Sequence, residues 1–192
     1  MPINRQTPND AKLKELILFI ALRSQDDPRF GSTKLNKLLF FADFLAYAKL
    51  GHSITGHAYF RLPNGPAPKA MVPIRQQMIE EKILAIQDRD HFGRMQKVPL
   101  ALREPELAMF SPQEVAVVTD VLMAFRNENA RAISELSHRF DGWKLAGDRE
   151  VIPYEVTLVR FKKPTEQDRE TALAMGPELA ALRMECERYG NR

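Results

Sequence analysis

Asp43 is the first residue whose type and setting suggest chemistry. It lies in Phe40-Phe41-Ala42-Asp43-Phe44, where a carboxylate is costly unless it is paired or bound. Such a group can serve as a general base, hold a partner, or form a buried salt bridge or a cap on a neighbouring loop. The four histidines, His52, His57, His91 and His138, form no pair at the spacing of a helical or finger-type metal site, so no metal is expected. His57 and Tyr59 fall on the same side of an expected strand. Ser137, His138 and Asp141 invite comparison with a hydrolytic triad. Adjacent helical residues, however, point about 100° apart, and no Gly-x-Ser-x-Gly elbow presents a nucleophile. A helix-end role suits them better.

Gly65-Pro66-Ala67-Pro68 has too few glycines, and too many prolines without N–H groups, to cradle a phosphate. Its stiff backbone suits fixing a strand-to-helix angle or presenting an ordered loop. Cys186 has no Cys/His signature around it and reads as an ordinary thiol. With no catalytic constellation left, the expectation is a binding protein with no enzymatic activity and no cofactor.

Lys34, Lys37, Lys49, Lys69, Arg75 and Lys82 can supply phosphate contacts if they share a face. A helix over 69–81 followed by a hairpin resembles the recognition helix and wing of a winged-helix DNA binder, which is the alternative function. Glu80, Glu81, Asp88 and Asp90 stand where a wing favours positive charge, so a solvated mixed-charge surface is the stronger reading.

The elements that must position these residues follow from periodicity. Asp10 is expected to cap a first helix carrying Leu13, Leu16, Ile17 and Ile20 and ending near Ser24. Ser32 or Thr33 caps a second, with Leu35, Leu38, Leu39, Ala42, Leu45 and Ala46 on one face and Gly51 as its stop. Phe40, Phe41, Phe44 and Tyr47 widen its apolar arc until it must be packed on several sides. A strand is expected over 54–62, a breaker over 63–68, a helix over 69–81, and a hairpin of 83–87 with 96–102 around the polar 88–93. Ser111-Pro112-Gln113-Glu114 is a capping box opening a helix with Val115, Val118, Leu122 and Phe125. Asn129 caps another bearing Ile133, Leu136 and Phe140. A turn over 141–147, an extended 151–161 and terminal helices over 165–174 and 177–188 complete the pattern. The fold class is α+β, predominantly α-helical, with a small antiparallel β element.

The 192 residues suggest one domain, 1–163, with a helical extension, 164–192, packed on it. At 44% hydrophobic and 28% charged, the composition excludes whole-chain disorder. A net charge of +3, from 28 basic and 25 acidic residues, permits nucleic-acid contact without arguing for it. The single cysteine excludes an internal disulfide framework and fits a reducing compartment. The apolar run 16–22 is far short of the roughly 20 residues of a membrane helix. The first ten residues lack the basic region and cleavage site of a signal peptide, so the expected location is cytoplasmic.

The run Lys34-Leu35-Asn36-Lys37-Leu38-Leu39-Phe40-Phe41-Ala42-Asp43, then Gly51, Ile54-Thr55-Gly56, Tyr59 and Gly65-Pro66-Ala67-Pro68, resembles the Panacea or SocA-like antitoxin domain in order and spacing. Ser137-His138, Trp143, Gly147 and Ile152 resemble its second block, so the likeness covers about 10–154. Ser53 stands where the family usually has proline, Phe40 where tyrosine is common, and Gly142 where proline often precedes the tryptophan. The resemblance implies an antitoxin that neutralises a cognate toxin protein by direct binding. In the SocA branch it implies an adaptor handing the toxin to the ClpXP protease. It marks Phe41, Asp43, Tyr47, Thr55, Gly56, Tyr59, Gly65, Pro66, Pro68, His138 and Trp143 as toxin-binding or motif residues. Tyr59, Phe60, the 65–68 loop and Trp143 are available as interface anchors, each with a rival role in the core. The terminal helices can cover the binding face, extend it or build a homodimer.

Overall fold

The computed structural model describes residues 7–91, 93–158 and Glu166. The chain divides into two units, Met1–Val159 and Arg160–Arg192, and the account below concerns the first. The expected extension 164–192, its two helices and Cys186 lie, Glu166 apart, outside the described residues.

Helix α1 (Asp10–Arg23) is capped by Asn9, whose side chain accepts from the Lys12 N–H. Asp10, expected to be that cap, is instead the first helical residue, and its carboxylate lies 3.1 Å from His57 Nε2. Helix α2 (Ser32–Leu50) begins at Gly31 with no side-chain cap. Ser32 or Thr33 is the expected cap, but both lie inside the helix, and the Ser32 hydroxyl donates to the Lys97 carbonyl across the domain at 3.0 Å. At the far end Gly51 takes the left-handed conformation (φ +80°) and stops the helix as its position predicts.

Helix α2 is central. It packs against α1, the two strands and hairpin described next, and the helices α4 (Pro112–Phe125) and α5 (Ala130–Arg139). Its buried residues occupy almost every side of the helix, as an apolar arc this wide requires.

Strand β1 is only Tyr59–Phe60, not 54–62. The breaker cluster supplies its partner: β2 (Ala67–Pro68) pairs antiparallel with it, Tyr59 opposite Pro68. On the other side lies β5 (Val151–Ile152), giving the order β2-β1-β5. Residues 54–58 form no long ladder because side chains, and the backbone N–H groups of Asn9 and Lys69, take their backbone groups, as set out below. Helix α3 (Met71–Glu80) tolerates Pro73 in its first turn, where the missing N–H has no helical acceptor.

The hairpin is longer than expected. β3 (Leu84–His91) and β4 (Arg94–Ala101) stay in register to the His91–Arg94 pair, so Asp88, Arg89 and Asp90 are strand residues, not loop. A backbone ladder needs no apolar side chains at its exposed end, and Gly93 at φ +75° makes the reversal. Leu84 and Val98 bury the base of the hairpin.

The capping box at α4 is present in full: Ser111 Oγ accepts from the Glu114 N–H, and the Glu114 carboxylate from the Ser111 N–H. Asn129 caps α5, accepting from the Ala132 N–H. Phe140 lies just past α5. The expected turn over 141–147 holds a short helix, α6 (Asp141–Leu145), whose Gly142 is buried where a Cβ would sit 2.8 Å from the Phe140 ring. The expected extended stretch 151–161 ends at Ile152. Pro153 has no N–H to continue the ladder, and Tyr154–Leu158 coils into a 3-10 turn; 159–161 lie outside the described residues.

Candidate functional site

The motif residues assemble around α2 in two groups. In the first, Asp43 Oδ1 accepts the backbone N–H groups of Ile54 and Thr55, both at 2.8 Å. Its Oδ2 accepts the hydroxyls of Thr55 at 2.6 Å and Tyr59 at 2.7 Å. Both oxygens are thus fully subscribed, two acceptor sites each. Asp43 and Tyr59 are completely buried. Burial pushes the Asp43 carboxyl above the usual carboxylate range while the four donors pull it back. Burial, reinforced by the neighbouring Asp43 charge, holds the Tyr59 hydroxyl well above its ordinary value.

The segment before β1 is fastened at nearly every polar group. Gly56, at φ +70°, donates its N–H to Ser53 Oγ at 3.0 Å. The Thr55 carbonyl accepts from the Asn9 N–H, and the Ala58 carbonyl from the Lys69 N–H, each at 2.9 Å. The Tyr154 hydroxyl donates to the His57 carbonyl at 2.6 Å, and burial raises its pKa. This accounting explains both the irregular backbone and the need for a carboxylate at position 43. Among its readings, Asp43 is the cap on a neighbouring loop. His57 is buried beside Asp10 and outside the strand, so it does not share a strand face with Tyr59.

Aromatic rings hold this clamp on α2. Tyr59 meets Phe40 and Phe44 edge-on at 5.6 and 5.7 Å, and Tyr154 lies 4.5 Å from Phe44. Tyr47 stacks on Tyr154 at 5.4 Å and its hydroxyl reaches Glu155 at 3.4 Å. Phe41 faces the other way, against Phe125 at 4.8 Å. It lines an apolar groove of about 460 Å³ between α2 and α4, together with Phe44, Leu45, Val121 and Phe140.

The second group centres on Lys37, two turns earlier on α2 and only 2% exposed. Its Nζ donates to the Pro66 carbonyl at 3.1 Å. Gly65 stands against it at φ +89°, where a Cβ would lie 2.6 Å from Lys37 Cε and 2.7 Å from Ser137 Oγ. Ser137 is buried and donates to the Ser134 carbonyl, so it is a helix-end residue and not a nucleophile poised on His138. The His138 ring stacks on Trp143 at 4.1 Å, and the Arg61 guanidinium covers Trp143 at 4.3 Å. Burial lowers the Lys37 amine to about 8. It lowers His138 also, with the charges of Lys37 and Arg61 adding to the effect. Pro68, in β2, ties this loop back to Tyr59.

The resemblance puts 34–43, 54–56, Tyr59 and 65–68 in one block and Ser137-His138 with Trp143 in another; in the structure Asp43, Thr55 and Tyr59 stand together, whereas Gly65 and Pro66 stand against Lys37 and Ser137. Lys37 and Ser137 lie within those blocks without being singled out as site residues, and Arg61 and Tyr154 are supports that no motif position names. The signal for Lys37 was legible: it is a charge within a helix apolar on most sides, the same argument that picked out Asp43. Of the six basic residues weighed for phosphate contacts, Lys34 and Lys37 are buried, and the exposed Lys49 pairs with Asp120 at 3.0 Å.

The fold and site define a helix-centred α+β domain whose motif residues fasten two loops onto one central helix. The chain belongs to the family described as antitoxin SocA-like, Panacea domain, whose sequence profile matches residues 35–144. That match spans both groups of site residues. No curated protein and no solved structure matches the chain. Among the described residues no helix is long and apolar enough to cross a membrane.

Proposed function

We propose that this chain neutralises a cognate toxin protein by direct protein–protein contact. The observation that carries the reading is the coincidence of the family match over 35–144 with the two buried fastenings, Asp43 on 54–59 and Lys37 on 65–66. Those fastenings hold in place the exposed Pro63-Asn64 turn, the partly exposed Trp143 and the Phe41 groove, and a preorganised surface loses less entropy on binding. Binding without catalysis fits the same geometry: the one carboxylate in the motif is consumed by four donors. The SocA-type extension, delivery of the bound toxin to the ClpXP protease, belongs to this reading as its finer form. Its partners are then the toxin and the protease, with a second copy of the chain where a homodimer forms.

The test is co-expression with the product of the adjacent reading frame, scoring growth and then co-purification. Rescue of growth with a stable complex supports neutralisation by binding. Rescue that disappears in a host lacking ClpX or ClpP supports the adaptor form. A neighbour that harms no host and binds nothing overturns both.

A further inference from the structure

Two lysines three residues apart on α2 are equally buried and electrostatically opposite. Lys34 Nζ meets the Asp27 carboxylate at 2.6 Å and the Glu128 carbonyl at 2.6 Å. Lys37 has three donors to satisfy and, among the described residues, one acceptor, the Pro66 carbonyl, and no anion. Around it the imbalance continues. His138 Nε2 and Trp143 Nε1 are both buried without a hydrogen-bond partner among the described residues, and Arg61, which donates one bond to the Ala146 carbonyl at 2.5 Å, adds a second cation over the Trp143 ring. Among the described residues the acidic group that acts on His138 is Glu135, which is exposed and already paired with Arg131 at 3.0 Å.

We propose that Lys37, His138, Trp143 and Arg61 form a receptor for an oxyanion, the carboxylate of an acidic side chain on a bound partner protein. The cluster offers two cations, the Lys37 amine and the Arg61 guanidinium, beside two neutral rings with unpartnered nitrogens, and a carboxylate is the head group that complements this balance of charge and donors. His138 and Trp143 are partly exposed while Lys37 is buried, so the two rings are the part of the cluster that a partner side chain meets first. The proposal deepens the antitoxin reading and rests on it only for the partner's identity, because the donors are fixed by this chain alone.

Trp143 is the only tryptophan in the chain, so its fluorescence reports on the site directly. The purified full chain is titrated with glutarate, with phosphate and with chloride, at fixed ionic strength and up to about 100 mM, the range suited to millimolar binding. The expected result is a saturable change in emission with glutarate, weakened roughly tenfold or more in Lys37→Met and in Arg61→Gln. Where Lys37→Met does not fold, the more exposed Arg61→Gln carries the comparison. Absence of a glutarate response, a response unchanged in the folded variants, or a response to phosphate alone overturns the receptor. Growth rescue without a glutarate response removes the receptor and leaves the antitoxin reading. A glutarate response without rescue does the reverse.

Discussion

The Tyr59 hydroxyl and Asp43 Oδ2, sixteen positions apart, meet at 2.7 Å with both side chains completely buried. That bond joins the centre of α2 to the middle strand of the small sheet. The Thr55 hydroxyl and two backbone N–H groups share the same carboxylate, so one side chain fixes the whole connection between helix and strand. The motif is therefore a scaffold that holds the 54–59 segment still against α2.

Replacing Asp43 by Ala leaves four buried donors without an acceptor. The expected loss of stability is on the order of 3–5 kcal/mol, against about 1–2 kcal/mol for Tyr59→Phe, which removes one donor and leaves three. Urea unfolding measures both. A loss under about 1 kcal/mol for Asp43→Ala would contradict the clamp.

Lys37 makes stability rise with pH. Its amine titrates at about 8 in the folded chain against 10.5 when free, so between those values the unfolded chain holds the extra proton. Raising the pH then favours the native state, by about 2 kcal/mol between pH 7 and 9.5. Lys37→Met, which keeps the stem and drops the charge, is expected to flatten this slope and to be more stable than the parent at pH 7. Thermal melts across that range decide it, and a parent curve that is flat or falls sinks the prediction.

Gly65 and Gly51 form an internal control for backbone strain. Both have positive φ, but a Cβ at Gly51 meets nothing within 4 Å whereas one at Gly65 strikes Lys37 and Ser137. Gly51→Ala is expected to cost about 1 kcal/mol, the conformational term alone. Gly65→Ala is expected to cost roughly 2–4 kcal/mol and to shift Trp143 emission, because the Lys37 anchor must move. Equal costs at the two sites would show that the close packing at Gly65 is relaxed without penalty.

At acid pH the relevant pair is Glu15 with Arg103. Glu15 is buried, bonds the Arg103 guanidinium and accepts the Glu106 N–H at 2.8 Å, and Arg103 chiefly holds its carboxyl below the ordinary value. Its contribution is thus present above the unfolded value near pH 4 and is lost as the pH falls through the folded one. Arg103→Met strands the carboxylate and is expected to cost about 1–3 kcal/mol at pH 7, discounted for the partial exposure of Arg103. The gap between parent and variant should narrow as the solution is acidified, and a gap that widens would refute the assignment.

The sequence by itself determined the parts whose causes are local. The capping box at Ser111 and Glu114, the Asn129 cap and the Gly51 stop each depend on residues within a turn of one another. The all-round burial of α2 follows from its composition, because a helix apolar on most sides has no face to give to water. Family membership was legible for a similar reason: the motif is a linear order of residue types at fixed spacing.

What only the tertiary structure decided is where polar groups spend their hydrogen bonds. Ser32 was free to cap α2 and instead donates to Lys97, sixty-five residues on. Residues 54–58 have the composition of a strand, yet Asp43, Tyr154 and Asn9 claim their backbone groups before any neighbouring strand can. Whether Lys37 had an acid like that of Lys34 depended on which loop folded over it, and the Gly65–Pro66 turn brought only a carbonyl. Periodicity records which side of an element is apolar. It carries no information on which distant donor meets which acceptor, because that pairing exists only once the chain has closed on itself.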